Sequence, residues 1–172
     1  KLVFDVWHFP RPRYNPEALA KFKEMALANP ELTIVLNHLG GAIGPGMVED
    51  DADIDAATAA KSQWESDLTA IASECPNVCC KVGGNLMVVN GFGLHRRASP
   101  IGSEDLADML LPWWGHAIDA FGAERCMFES NFPVDKAQTS YRTLWNAFKR
   151  VADKKGLGEE ARKMIFAGTA KR

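Results

Sequence analysis

The sequence predicts an α/β protein built on a parallel sheet, and three observations carry that prediction. Short apolar runs alternate with longer segments of helical periodicity, and the pair recurs four times along the 172 residues. The runs are apolar at consecutive positions, the pattern of strands covered on both faces. Asn, Pro and Gly punctuate the joins. Such alternation gives parallel strands joined by crossover helices.

Residues 2–8 (LVFDVWH) form the first expected strand. Asn15 and Pro16 open a helix, Asn as N-cap and Pro at the first helical position. Its apolar face is Leu19, Phe22 and Ala26, and Asn29 with Pro30 ends it. Residues 32–38 (LTIVLNH) are the second strand, followed by Leu39, Gly40 and Gly41. After an acidic, Gly-rich connection, a helix carries Trp64, Leu68, Ile71, Ala72 and Cys75 on one stripe. Residues 78–82 (VCCKV) are the third strand, closed by Gly83 and Gly84. Ser103 is the expected cap of the next helix, with Glu104 and Asp105 suited to its positive end. Leu106, Met109, Leu110, Trp113, Ala117 and Phe121 face inward there, and Pro112 is expected to kink or split it. Residues 126–131 (CMFESN) are the fourth strand. Ser140 begins a helix with Tyr141, Leu144, Trp145, Phe148 and Ala152 at helical spacing, and a last helix follows Gly158.

Apolar residues are 47% of the chain, enough for the core of a single domain spanning residues 1–172. With 20 basic against 22 acidic residues, the charge is too balanced for a general nucleic-acid binder. No 18-residue apolar run exists, so no membrane span is expected, and the start lacks the pattern of a signal peptide. The opening at Lys1, without Met, reads as though cut from something longer. Cys75, Cys79, Cys80 and Cys126 form no CxxC pair, and Cys79 and Cys80 fall on opposite faces of one strand. A reduced, cytoplasmic protein with mostly buried thiols is the expectation.

Two architectures fit four βα units: an open doubly wound sheet, or half of a (β/α)8 barrel, whose full form needs about 250 residues. Length alone favours the open sheet. The strand ends argue for the half-barrel, because in parallel α/β folds the active site gathers beyond the carboxyl ends of the strands. His8, His38 and the pair Ser130–Asn131 end three of the four strands. Gly83 and Gly84 end the other, where they let something approach the backbone closely. Two of only four histidines closing apolar strands points to a site.

Residues 35–41 (VLNHLGG), 126–136 (CMFESNFPVDK), 165–170 (IFAGTA) and 91–97 (GFGLHRR) together resemble the amidohydrolase-related metal-dependent hydrolases of TIM-barrel fold. That group includes sugar lactonases and 2-pyrone-4,6-dicarboxylate lactonase. The resemblance covers essentially the whole chain and implies the C-terminal half of the barrel, strands five to eight. It places His8 and His38 at the family's strand-five and strand-six histidines, and Asn131 where the family has Asp. The first-strand HxH pair has no counterpart, and an amide is a poor ligand for a divalent cation. No metal is therefore expected in this chain, although the resemblance allows zinc or manganese in a full-length family member.

The resemblance implies hydrolysis of a lactone or related small carboxylate by water attack at an acyl carbon. His8, His38 and Asn131 are the expected catalytic residues. Ser130, Arg96, Arg97 and Trp7 are the expected substrate-binding residues, the arginines because a planar guanidinium fork suits a carboxylate. Decarboxylation, a reaction of the same superfamily, and an inactive self-associating barrel fragment are the alternatives. His95 reads as a surface residue. Residues 49–55 (EDDADID) resemble the start of a calcium loop, but Ala56 and Ser62 stand where that loop needs Gly and Glu. Residues 40–46 lack the spacing of a phosphate loop and read as a flexible loop over the site. Four strands with two open edges predict a homodimer or a missing N-terminal half.

Overall fold

The computed structural model describes residues 3–7, 15–45 and 54–172. Four strands, β1 (Val3–Val6), β2 (Thr33–Leu36), β3 (Val78–Gly83) and β4 (Cys126–Glu129), form one parallel sheet in chain order. Val3 pairs with Thr33, Ile34 with Val78, and Cys80 with Cys126. Between them run α1 (Pro16–Ala28), one short turn α2 (His38–Gly41), α3 (Ile54–Glu74) and α4 (Ser103–Phe121). After β4 come α5 (Tyr141–Lys154) and α6 (Glu159–Lys163). The first, third, fourth and fifth helices pack side by side in chain order.

Strand side chains alternate in direction, so each strand offers every second residue to the helices. Ile34, Leu36, Val78, Cys80, Val82, Cys126 and Phe128 enter the core between sheet and helices. There they meet Leu19, Trp64, Leu68, Trp114 and Phe148. The opposite face carries Thr33, Val35, Cys79, Lys81 and Met127, which line an open cavity. The expectation of strands covered on both faces is thus corrected: the helices cover one face only. β1 departs furthest, with Val3 54% and Phe4 45% exposed, because it is an edge strand flanked by β2 alone. Cys79 and Cys80 do fall on opposite faces, as the strand period requires.

Three local expectations are also revised. α4 runs unbroken through Pro112, since residues on both sides of it (Leu106, Leu110, Trp114, Phe121) are locked into the core. Trp114 rather than Trp113 is the fully buried indole of that helix. Ser103 is the first helical residue, with Gly102 at the N-cap, and its hydroxyl accepts a hydrogen bond from Arg150 Nε (3.1 Å). Ser140 caps α5 as expected, its Oγ accepting from the Thr143 amide at 3.0 Å. The last segment continues from α6 into a π-helical turn, Met164–Gly168.

The core tryptophans also fix the loops at the carboxyl ends of the strands. Trp64 Nε1 donates to the Leu39 carbonyl (2.8 Å), Trp113 Nε1 to the Ile43 carbonyl (3.2 Å) and Trp114 Nε1 to Asn85 Oδ1 (3.0 Å). Asn90 ties the two loops together by donating to the Ala42 carbonyl at 2.8 Å. Leu39, Gly40, Gly41, Ala42 and Ile43 are buried, so this stretch is packed structure rather than the flexible loop expected of it. Its last residue, Gly46, and the acidic stretch up to Asp53 lie outside the described residues. No described helix is long and apolar enough to cross a membrane.

Candidate active site

The carboxyl ends of β1, β2, β3 and β4 meet at one rim. His38 follows β2 by two residues and starts the turn His38–Gly41, in which His38, Leu39, Gly40 and Gly41 all have positive φ (51°, 56°, 65° and 79°). A left-handed conformation is rare outside glycine, and at His38 it turns the imidazole toward β4. There His38 Nδ1 lies 2.5 Å from Glu129 Oε1, and the His38 amide donates to the same oxygen at 3.1 Å. Both side chains are about 15% exposed. A carboxylate only accepts, so Nδ1 carries a proton, and in the neutral ring Nε2 presents a lone pair.

The two glycines after β3 make this contact possible. A Cβ on Gly84 would lie 1.9 Å from His38 Nδ1, and one on Gly83 would lie 2.2 Å from the Glu129 carbonyl oxygen. The close approach expected at Gly83–Gly84 is therefore made by the protein's own imidazole and backbone. Trp7, at the end of β1, meets the His38 ring edge-on with centroids 5.6 Å apart. Beneath the pair, Asp5 accepts from Lys81 Nζ (2.8 Å) and from Asn37 Nδ2.

Asn131 also has positive φ (46°) and donates from Nδ2 to Asp135 Oδ1 at 3.3 Å. Asp135 sits in a 3-10 turn, Val134–Ala137, with no exposed surface, and its Oδ2 has no hydrogen-bond partner among the described residues. Burial pushes its carboxyl up to about 7. The Asn131 hydrogen bond and the His38 charge only partly oppose this, and the Glu129 charge adds to it. Ser130 Oγ accepts from the Phe132 amide at 3.4 Å, which holds the segment that carries Asn131.

The structure thus brings together His38, Asn131, Ser130 and Trp7 of the residues that the sequence singles out. His8 lies outside the described residues. Arg96 and Arg97 are exposed in the loop after β3; Arg97 lines a neighbouring cleft, which Arg96 does not. Exposed His95 also lines it. Glu129 and Asp135 are the residues that sequence reasoning missed. Glu129 gave a signal, as the one acidic residue inside the fourth apolar run. Asp135 gave none, because only tertiary packing buries it.

Among the described residues, no group of three or more His, Cys, Asp or Glu is arranged to hold a metal ion. A catalytic zinc site takes three protein ligands. The described residues therefore do not by themselves fit a zinc ion.

Comparison with known proteins agrees with this geometry. The amidohydrolase family model Amidohydro_2 matches residues 1–172. A protein of Sinorhizobium fredii, "Uncharacterized protein y4mH", is 34% identical over 134 residues, 77% of this chain and 36% of that protein. L-fucono-1,5-lactonase of Burkholderia multivorans is 33% identical over 140 residues, 81% of this chain and 42% of the lactonase. A zinc-bound crystal structure of an amidohydrolase from Burkholderia multivorans superimposes with a TM-score of 0.72 and 28% identity, over 99% of this chain and 51% of that one. The chain thus spans about half of that structure or less of each curated relative, and its four parallel βα units correspond to half of a TIM barrel. A sheet of four parallel units with its polar residues gathered at the carboxyl rim, matched end to end by one family model, belongs to the amidohydrolase family.

Proposed function

We propose that this chain contributes the water-activating half of a hydrolase that opens a lactone or a related small acyl compound. The observation that carries the reading is the Glu129–His38 contact, which leaves Nε2 of a rim imidazole free to accept a proton. Nε2 takes a proton from water as the water oxygen attacks the acyl carbon. Glu129 holds the tautomer and stabilises the imidazolium that forms, as an orienting carboxylate does in hydrolytic triads. When the tetrahedral intermediate collapses, the ring C–O bond breaks and the leaving alkoxide takes the proton back from Nε2, giving the hydroxy acid. Asn131 and Ser130 supply polar contacts beside the reacting group, and Trp7 a wall. The lactonase relative supports the acyl substrate class, and the four free cysteines, three of them buried, support a reducing, cytoplasmic setting.

Zinc or manganese in a full-length family member is part of the proposal. The zinc-bound relative supports it, and its ligands would have to include donors beyond those described here. The test is hydrolysis of a 1,5-aldonolactone by the purified chain, with and without added Zn2+, followed by acid release. Turnover falling about 10²–10⁴-fold in His38→Ala is the expected result, the usual contribution of a general base. Equal rates in wild type and variant, or no turnover with and without zinc in the folded chain, would overturn it.

A further inference from the structure

Beside the rim lies a second cleft, of about 600 Å3, which shares the segment after β4 with the candidate active site. Arg97, His95 and Lys136 line it, and among the described residues no acidic side chain does. Neither Arg97 nor Lys136 has an ion-pair partner among the described residues. Phe132 and Tyr141 form its wall, edge to face with centroids 5.2 Å apart.

The polar floor is also incomplete. Gln138 and Thr139 line the cleft, are 5% and 8% exposed, and leave Nε2 and Oγ1 without hydrogen-bond partners. Gln138 Oε1 is already engaged, accepting from the His95 amide at 2.9 Å, so what remains unsatisfied there is the donor end. Buried donors without acceptors carry a free-energy cost, which an incoming acceptor relieves. Positive charge, spare donors and an aromatic wall describe one ligand chemistry: a carboxylate on a flat, apolar body.

We infer that this cleft is a carboxylate-binding subsite, with Lys136 and Arg97 as its charge contacts and Phe132 and Tyr141 as its apolar wall. Resting on the hydrolase reading for its link to catalysis, the subsite makes an acyl compound that carries a carboxylate a better substrate than a neutral sugar lactone. Lys136 directly follows Asp135 and Phe132 directly follows Asn131, so the rim and the cleft are built on one short segment.

Titration calorimetry of the full chain with benzoate and with benzamide separates charge from shape. Benzoate is expected to bind one to one, at least tenfold tighter than benzamide, and to weaken as salt screens the contacts. Lys136→Ala and Arg97→Ala are each expected to weaken benzoate about tenfold with the thermal melt unchanged, since both side chains are exposed. Lys136→Glu is expected to abolish binding. Equal binding of the two probes, or benzoate affinity unaffected by all three variants, overturns the subsite. Because neither probe is hydrolysed, benzoate binding without lactone turnover would sink only the hydrolase reading, and turnover without benzoate binding only the subsite.

Discussion

Asp135 is the residue where burial and chemistry conflict most sharply. A carboxyl with no exposed surface and one unpartnered oxygen favours its neutral form, hence its rise to about 7. In the unfolded chain the same group titrates at the ordinary carboxylate value. Between about pH 4 and pH 7 the folded state therefore holds a proton that the unfolded state has lost. Stability from this group is complete below that window, falls as pH rises through it, and is flat above it. Asp135→Asn removes the titration, so urea denaturation at pH 5 and pH 8 should show the variant gaining on wild type at the higher pH, by at most about 3 kcal/mol. An unchanged difference between the two pH values would contradict this.

At residue scale the sequence made His38 and Asn131 legible because both close apolar strands, where polar side chains must have a purpose or a partner. Glu129 was harder to see. A strand of the pattern CMFE shows a carboxylate but not its partner, and that partner is 91 residues away in sequence.

The connections after β2 and β3 decide the site at the scale of elements. The left-handed turn at His38–Gly41 and the glycine pair after β3 fit together only because Gly84 has no Cβ and φ of +67°. Gly84→Ala is expected to push the imidazole off Glu129, to reduce lactone turnover as far as His38→Ala does, and to cost roughly 1–3 kcal/mol of stability through the positive φ. Hydrolysis rates and thermal melts of the variant check this; wild-type turnover would show that the ring does not need that space. Most helix starts and the strand positions followed from caps and apolar runs, local signals that sequence carries well. The left-handed turn did not, because the contacts that stabilise it, Trp64 to Leu39 and Glu129 to His38, are long-range.

For the whole molecule, the helices cover one face of the sheet and leave the other open. Val3, Thr33, Val35, Cys79 and Met127 line the open face, and β1 and β4 are its edges. Unpaired strand edges beside an apolar surface invite association. We propose that a second copy covers this face, and light scattering coupled to size-exclusion chromatography is expected to give a mass of about twice 18.9 kDa. A compact species at the single-chain mass, unchanged on concentration, would contradict the proposal. The half-barrel was legible from the polar strand ends and the family resemblance, since four βα units alone set the strand number and direction but fit an open sheet as well. The one-sided burial was not, because apolar strands read the same whether one face or both are covered.

The hydrolytic reading stands on the protonation of one imidazole. Nitrogen-15 NMR of the histidine side chains, with His38→Gln for assignment, reports it directly. In its neutral form His38 is predicted to carry its proton on Nδ1, in a far-downfield resonance that Glu129→Gln removes, with Nε2 unprotonated. A proton resident on Nε2, or a His38 resonance indifferent to Glu129→Gln, would contradict it.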